Sequence, residues 1–276
     1  MLSVLILTKN EAANIKNAIS SVNWSDDVVV YDSESTDSTT EIASSLGARI
    51  VSRKFDNWSS HQNWAVKNIA FKNPWVLYVD ADEACDSELK EAVMRECTAH
   101  SKASAFRVKR KDFFMGKWLR RSQLYPTWLV RVFRPDKIRY ERLVNPVAIV
   151  DGDTLPIEGH ILHYPFSHGV SHWFERHNSY SSFEAQDLAS ESRQSINWKQ
   201  IFSKDANLRR KAIKQLAYKV PGRPFLLFFY LYFFRLGFLD GVPGYYYSQM
   251  RASYELMIDV KACENRYKMT QNSIHS

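Results

Sequence analysis

Residues 76–86 read VLYVDADEACD, and this stretch decides the fold. An apolar run ends at Val79, and three acids follow within four residues: Asp80, Asp82 and Glu83. Carboxylates so close together repel one another. Either water screens them, or a cation lies beside them.

The residues up to about 100 alternate between strand and helix patterns. Apolar runs at 2–7, 28–31, 50–51 and 75–79 predict strands, and each is followed by a stretch with helical character. This order predicts an α/β fold with a mostly parallel sheet and right-handed crossovers. We expect Asn10 to cap the first helix, Ser38 and Glu41 to form a capping box on the second, and Gly47 to end it.

Polar side chains collect where these predicted strands end. In open parallel sheets, ligands bind beyond the carboxyl ends of the strands. The residues expected at that edge are Thr8, Asn10, Asp32, Ser33, Asp37, Asp80 and Asp82. The acids of residues 76–86 therefore face the site edge of the sheet.

Three roles fit a D-x-D motif at a strand end. Asp80 and Asp82 could hold Mg²⁺ or Mn²⁺ against a diphosphate, because these ions prefer hard oxygen ligands. One of them could be a phosphoryl-transfer nucleophile. The third role is a solvated turn followed by an Asp that caps the next helix. The neighbouring loop at 31–39, YDSESTDST, alternates acids with hydroxyls and favours a ribose or base site beside the metal.

The positive charge of the chain is concentrated in one segment. The net charge is +7, and residues 107–142 alone hold 12 Lys/Arg against 3 Asp/Glu. Aromatic residues between these bases, such as Trp118, Tyr125 and Trp128, suit stacking on sugar rings. Nucleic-acid binding would use the same composition, but a carboxylate-lined nucleotide site beside it argues against a nucleic-acid partner.

The cysteines, the first residues and the segment 207–239 indicate where in the cell the protein is found. Three widely spaced cysteines predict free thiols in a reducing compartment. The first residues form a strand pattern without a basic n-region, so we expect a cytoplasmic protein. The segment 207–239 combines bases with an apolar run at 225–234, which as a helix rises ~15 Å, too short to span a bilayer. We expect it to lie on an anionic membrane surface; the alternative is a buried helix that closes the core.

Several of these motifs together resemble a known family. LTKNEAANI (7–15), DDVVVYDSESTDSTTEIA (26–43) and WVLYVDADE (75–83) resemble the nucleotide-binding half of a family 2 glycosyltransferase with the GT-A fold. KRKDFFMGKWLRR (109–121), YPTWLVRVFR (125–134) and GFLDGVPGYYY (237–247) resemble a bacterial branch that includes lipopolysaccharide-core glucosyltransferases. The resemblance runs from about residue 2 to about residue 254. It implies a nucleotide-sugar-binding half at 1–104, an acceptor-binding half at 105–171 and a C-terminal helical, partly amphipathic region at 172–276.

The resemblance also implies roles for individual residues. The donor would be a nucleotide sugar of the UDP type, bound with Mg²⁺ or Mn²⁺. Asp82 would coordinate the metal, Asp80 would approach the ribose or the metal, and His163 would supply another ligand. The nucleotide would contact Thr8, Asn10, Glu11, Asp32, Ser35, Asp37, Asp80 and Ala81. The acceptor would contact Trp118, Arg120, Tyr125 and Trp128.

One departure from the family pattern concerns the catalytic base. Related lipopolysaccharide-core enzymes commonly have a His-Glu pair where this chain has Asn145-Pro146. An inverting transferase needs a carboxylate to accept the proton of the acceptor hydroxyl. Glu141, Asp151 and Asp153 lie at a suitable distance along the chain, and we favour Glu141, with an exposed surface charge as the alternative.

The expected function is therefore that of an inverting glycosyltransferase at the inner leaflet of the plasma membrane. Its acceptor would be a glycan or a lipid-linked molecule of the bacterial envelope. A polyprenyl-phosphate glycosyltransferase and an inactive sugar-nucleotide-binding scaffold are the alternatives. A nucleotidyltransferase is disfavoured, because TKNEAAN at 8–14 lacks the glycine of a phosphate loop. A zinc site at His168 and His172, four residues apart, is a further alternative for the histidine-rich region.

Overall fold

The computed structural model describes residues 2–98, 101–142, 146–191 and 222–274, together with positions 203, 209, 216 and 220. It contains two compact units. The first comprises Met1–Trp118 and Leu124–Ser167, and the second comprises Leu119–Gln123 and His168–Ser276.

The first unit is built on a nine-stranded sheet. Its strand order is β3-β2-β1-β4-β8-β6-β11-β5, with β7 beside β6. The first half of the chain supplies β1 (Ser3–Thr8), α1 (Ile15–Ser21), β2 (Val28–Asp32), α2 (Thr39–Ser45), β3 (Arg49–Ser52), α3 (Trp58–Asn68), β4 (Val76–Asp80), β5 (Glu83–Cys85) and α4 (Ser87–Glu96). The second half supplies β6 (Ala105–Phe114), β7 (Lys117–Trp118), β8 (Thr127–Phe133), β9 (Ile138–Glu141), β10 (Val147–Val150) and β11 (Thr154–His163). Strands β9 and β10 form a separate two-stranded sheet.

The predicted mostly parallel sheet is confirmed. Strands β3, β2, β1 and β4 are parallel, and the register places Asp32 beside Thr8 and Asp80 beside Leu7. β1 is buried along its whole length, because its alternate residues belong to two apolar clusters. This register aligns the polar residues that follow β1, β2 and β4 at one edge.

Two local expectations need correction, and one strand was missed. Asn10 does not cap α1, which begins at Ile15 after an N-cap at Asn14. Asn10 instead has a φ of 55° and accepts a hydrogen bond from the Thr36 N–H. Ser38 does precede α2, but its side chain makes no capping bond, so the predicted box is absent. β5 was not predicted, because three residues carry too short a pattern to read.

Apart from the irregular segment Leu119–Gln123, the described part of the second unit is mainly helical. It contains α5 (Gly169–Glu191), α6 (Arg223–Phe229), a π-helical turn (Tyr230–Phe234), a 3₁₀ turn (Gly237–Asp240) and α7 (Val242–Ile274). Most of 207–221 lies outside the described residues. The alternative of a buried helix at 225–234 is wrong, since Phe225 is 72% exposed and Phe234 is 84% exposed. In the described part of the chain, every helix is too short or too polar to cross a membrane.

Candidate active site

The carboxylate of Asp80 is fully engaged by neighbouring side chains. The Tyr78 hydroxyl donates to its Oδ1 at 2.5 Å, and Arg131 of β8 donates to its Oδ2 at 2.8 Å. Arg131 also donates to Glu83 at 2.8 Å and lies over the Tyr78 ring. Burial raises the pKa of Glu83, and the charge of Arg131 partly offsets that rise. Burial alone would lower the pKa of Arg131, but the two acids raise it above its ordinary value. The buried Arg131 is therefore one cation that pairs with the acids of residues 76–86.

Asp82 has a different neighbour. Its Oδ2 lies 3.4 Å from Nε2 of His163, and Nδ1 of His163 lies 2.6 Å from Oδ1 of Asp112. The pairing of β11 with β5 and β6 brings these groups together, because it sets His163 opposite Glu83 and beside Asp112. Burial alone would lower the pKa of His163, but Asp112 and Asp82 raise it to about 9.

The Asp82–His163 pair fits a divalent cation. Two adjacent ligands of an octahedral ion with bonds of about 2.1 Å lie about 3 Å apart, close to the observed separation of the two ligand atoms. A metal-ligating histidine typically donates its other ring N–H to a carboxylate, which is the position of Asp112 here. Ala81, whose N–H donates to the Leu7 carbonyl at 3.0 Å, ties this turn to the end of β1.

The two loops that follow β1 and β2 are joined by hydrogen bonds. The Asn10 N–H donates to Ser35 Oγ at 2.8 Å, and the Thr36 N–H donates to Asn10 Oδ1 at 2.8 Å. Asp32, at the end of β2, accepts from the Ser35 N–H at 2.9 Å and from its hydroxyl at 2.5 Å. The structure thus brings Asn10, Asp32 and Ser35 together, and it uses their side chains to shape the loops.

Other predicted nucleotide-side residues join the same framework. The Glu11 N–H donates to the Thr39 hydroxyl at 2.8 Å, and Asp37 accepts from the Ala12 N–H at 3.1 Å and from the Thr39 hydroxyl. Thr8, at the end of β1, is 5% exposed, and its hydroxyl has no hydrogen-bond partner among the described residues. A buried hydroxyl without a partner is costly, so Thr8 is suited to bind a ligand.

Sequence reasoning missed a polar cluster at the ends of β2 and β3. His61 of α3 is 1% exposed, and its Nδ1 lies 3.0 Å from Arg53 while its Nε2 lies 3.1 Å from the Ser33 hydroxyl. The His61 ring stacks on Tyr31 with centroids 4.2 Å apart, and Arg53 is held by Asp56 at 2.7 Å. Burial and the Arg53 charge lower the pKa of His61 to about 4, so this histidine is neutral at pH 7.

The predicted acceptor residues separate into three places. Trp118 and Tyr125 meet edge to face with ring centroids 5.0 Å apart, and the Tyr125 hydroxyl lies 3.0 Å from Nε2 of His160. Trp128 is 39% exposed and lies beneath Arg107 and Lys109 of β6. Arg120 belongs to the segment Leu119–Gln123 of the second unit.

Another cluster of metal-type ligands is formed by Asp86, Glu88 and His160. Asp86 Oδ1 accepts the N–H groups of Leu89 and His160, and its Oδ2 lies 3.0 Å from Nδ1 of His160. Asp86 therefore caps α4 and orients the imidazole, and the cluster is explained by hydrogen bonds. His168 and His172, the predicted zinc alternative, have ring centroids 5.2 Å apart.

The candidate bases are exposed, one at the end of a strand and two in the loop between β10 and β11. Glu141 ends β9, and its carboxylate lies 3.4 Å from Arg139 on the two-stranded sheet. Asp151 pairs with Lys137 at 3.1 Å, and the Asp153 carbonyl accepts the Ser104 N–H. Asn145 lies outside the described residues.

Two groups in this site were not predicted from the sequence, and each carries a signal. Arg131 is the single charge in the apolar strand TWLVRVF at 127–133. Asp112 is the single acid among the bases of β6 and is 3% exposed. A lone charge in an otherwise apolar or oppositely charged strand indicates a paired partner, because buried charges are rarely left unpaired.

Comparison with known proteins shows what the chain is similar to in fold and in family. A mannosyltransferase from Pyrobaculum calidifontis, solved with GDP-Man and Mn²⁺, superposes with a TM-score of 0.53 at 14% identity, covering 95% of this chain and 86% of that one. At that identity the likeness concerns the GT-A fold alone. An uncharacterized glycosyltransferase of Rickettsia bellii is 45% identical over 93 residues, which are 33% of this chain and 31% of that protein. The lipopolysaccharide core biosynthesis glycosyltransferase LpsC of Rhizobium meliloti is 24% identical over 211 residues, covering 73% of this chain and 77% of that protein.

A family model decides the assignment. The model described as Glycosyl transferase family 2 matches residues 3–154, which is more than half of the chain and includes every strand of the parallel half of the sheet. With these sequence motifs, this sheet and this match, the chain belongs to glycosyl transferase family 2.

Proposed function

We propose that this protein is a metal-dependent, inverting glycosyltransferase that uses a UDP-linked sugar. The observation that carries the proposal is the facing pair of Asp82 Oδ2 and His163 Nε2 at 3.4 Å, with Asp112 behind the imidazole. The acceptor is a glycan or a lipid-linked molecule in the assembly of envelope polysaccharide or lipopolysaccharide. The similarity to the Rhizobium meliloti core biosynthesis protein supports this acceptor class.

The chain's own residues divide the work of donor binding. Asp82 and His163 would hold Mg²⁺ or Mn²⁺, which when bound would supply positive charge for the departing diphosphate. Thr8, at the end of β1, donates its free hydroxyl to the nucleotide. Asp32 shapes the loop after β2 through Ser35, and Asp37 ties that loop to the loop after β1 through the Ala12 N–H, so that both help to fix the backbone groups around the uridine. The Pyrobaculum calidifontis mannosyltransferase, solved with GDP-Man and Mn²⁺, supports a nucleotide sugar with a divalent cation as the class of donor.

Transfer with inversion requires a base on the acceptor side. The acceptor hydroxyl attacks the anomeric carbon, its proton passes to the base, and the sugar–phosphate bond breaks. Glu141 is the proposed base, and Trp118 with Tyr125 forms the proposed stacking surface for the acceptor sugar. The His160 contact fixes the Tyr125 hydroxyl, so this surface is ordered before the acceptor binds.

The proposed location is the cytoplasmic face of the inner membrane, through residues 207–239. The apolar side chains exposed in the described part of this segment support a peripheral contact. Such a contact would bring a lipid-linked acceptor to the enzyme.

A thermal-shift panel tests the donor site. UDP-, GDP-, CMP- and dTDP-sugars are added with and without Mn²⁺ to the wild type, to Asp82→Ala and to Glu158→Ala, which removes an exposed acid of the same unit. Ligand at about 100 times its Kd stabilises the native state by about 2.7 kcal/mol. We expect a Mn²⁺-dependent shift with UDP-sugars that Asp82→Ala abolishes and Glu158→Ala retains. The absence of any shift in the wild type would refute the proposal and favour a scaffold role.

A further inference from the structure

The turn GFLDG at 237–241 directs one carboxylate inward and two apolar side chains outward. Asp240 is 3% exposed, and its Oδ2 accepts hydrogen bonds from the Arg121 N–H at 2.9 Å, the Ser122 N–H at 2.8 Å and the Ser122 hydroxyl at 2.8 Å. Phe238 and Leu239 are 44% and 55% exposed. A carboxylate that binds two consecutive N–H groups fixes the backbone of the segment 119–123 beside these apolar side chains.

Close backbone contacts reinforce this attachment within the second unit. A Cβ added at Gly237 would lie 2.5 Å from the Leu231 carbonyl oxygen and 3.2 Å from Ser122 Cβ. A Cβ added at Gly244 would lie 2.2 Å from the Gly237 carbonyl oxygen. The Tyr247 hydroxyl donates to Gln123 at 2.6 Å. Gly244 therefore allows α7 to approach the GFLDG turn, and Gly237 allows that turn to approach Leu231 and Ser122.

The surface that results is both apolar and basic. Phe225, Phe229, Phe233 and Phe234 are 72%, 52%, 49% and 84% exposed. Residues 224–239 contain one charged residue, an arginine. Next to the GFLDG turn, Arg120 is exposed and Arg121 is partly exposed.

An anionic bilayer matches both properties of this surface. Contiguous exposed apolar residues mark an interaction site, and aromatic residues flanked by bases are typical of interfacial segments. Guanidinium groups bind phosphate oxygens in a bidentate manner. A second copy of this chain would bring more positive charge to the contact, whereas a bilayer supplies hydrocarbon and phosphate together.

We infer that Arg120 and Arg121, together with the exposed phenylalanines of 225–238, form one binding surface for an anionic phospholipid bilayer. The arginines bind lipid phosphates, the phenylalanines enter the acyl boundary, and Asp240 is a positioning residue that holds the arginines at the membrane. The inference deepens the proposed membrane contact, and it is independent of the donor and metal site.

Vesicle flotation tests this surface. The full chain is mixed with vesicles of phosphatidylcholine alone or of phosphatidylcholine with phosphatidylglycerol. The variant R120Q/R121Q keeps both backbone N–H donors to Asp240, and we expect it to lower binding to the anionic vesicles roughly 30-fold, about fivefold for each base. F225S/F234S should lower binding to both kinds of vesicle. Asp240→Asn should weaken the preference for anionic vesicles in the same direction as R120Q/R121Q.

The matched control is K67Q/K90Q, which removes two exposed lysines from the first unit. We expect it to bind anionic vesicles like the wild type. A loss in R120Q/R121Q no larger than in K67Q/K90Q would overturn the inference, as would wild-type binding by F225S/F234S. The Mn²⁺-dependent shift with UDP-sugar, measured on the same samples, separates the two proposals: a wild type that binds vesicles but no nucleotide would refute the proposed function alone.

Discussion

Asp80 and Asp82 are two residues apart in one turn, and their carboxylates have different partners in the fold. Both carboxylate oxygens of Asp80 are bound, one by Tyr78 and one by Arg131. Asp82 faces His163 at 3.4 Å, a contact too long for a strong hydrogen bond. The fold supplies a permanent cation, Arg131, for the first acid and places the second beside the imidazole through which we propose that a metal binds.

Two histidines that pack at the same sheet, His61 buried and His163 partly exposed, extend this comparison. His163 lies between Asp82 and Asp112, and its pKa is raised to about 9. His61 lies beside Arg53, and burial with that charge lowers its pKa to about 4. Burial acts in the same direction on both rings, so the sign of the neighbouring charge decides which one is a cation at pH 7.

The largest effect is expected from removing the permanent cation. Arg131→Met leaves the buried Glu83 and the partly exposed Asp80 without their shared partner, and we expect a loss of about 3–5 kcal/mol in the free energy of unfolding. Urea denaturation measures it. The control, Arg139→Met, breaks an exposed pair with Glu141 and should cost at most about 1 kcal/mol. Equal losses in the two variants would show that Arg131 is not the counter-charge of this turn.

Because His61 is neutral in the folded protein, we expect a loss of stability in acid. Since the pKa of His61 is about 4 in the folded state, against an ordinary value of 6.5 for an unperturbed histidine, the unfolded chain binds more protons between these pH values. The free energy of unfolding should fall as the pH drops from about 6.5 to 4, by up to about 3 kcal/mol, because each pKa unit is worth about 1.4 kcal/mol. His177, whose pKa burial also lowers to about 4, contributes in the same window.

His61→Gln should reduce this acid dependence, measured by urea denaturation at a series of pH values. The control is His172→Gln, which changes an exposed histidine of α5 and should leave the slope unaltered. If His61→Gln and the wild type lose stability in parallel, protonation of His61 does not oppose folding.

A smaller effect is expected at His163, where the removal of a neighbouring carboxylate should lower the affinity for metal. Asp112→Asn removes the carboxylate behind His163, and we expect Mn²⁺ affinity in the presence of UDP to fall roughly 10- to 100-fold. The signal of free Mn²⁺ in electron paramagnetic resonance measures it. Glu158→Gln, on the same strand as His163, is the control and should bind Mn²⁺ like the wild type. Unchanged affinity in Asp112→Asn would mean that His163 is not a ligand.

The sheet and its site edge could be predicted from the sequence because both are local patterns. Apolar runs predict the buried strands, and the residues that end them follow directly, as Thr8, Asp32 and Asp80 do. The partners of the acids could not be predicted in this way. Arg131 is 51 residues from Asp80 and His163 is 51 residues from Asp112, so each pair depends on how distant strands align.

The same limit explains the error at Asn10. Its position before a helical pattern is typical of a cap, yet the loop after β2 supplies Thr36 as its partner, and the helix begins later at Ile15. Residue type and spacing predict where a polar side chain can bond, and the tertiary structure decides which N–H group it meets. Substitutions at helix caps therefore test how far the local sequence determines the stability that a cap contributes.

Asp86 and Ser38 provide that test with the smallest expected effects. Asp86, the last acid of residues 76–86, accepts the Leu89 N–H at 2.9 Å and also orients His160, so Asp86→Ala should cost about 1–2 kcal/mol of unfolding free energy. Ser38 precedes α2 without a side-chain cap, so Ser38→Ala should cost less than about 0.5 kcal/mol. Urea denaturation compares the two. If the serine variant lost as much as the aspartate variant, sequence position rather than the observed bond would determine the energy of a cap. Asp86 and Ser38 occupy similar positions in the sequence pattern, as Asp80 and Asp82 do. We expect their different hydrogen bonds in the fold to give the two substitutions different effects on stability.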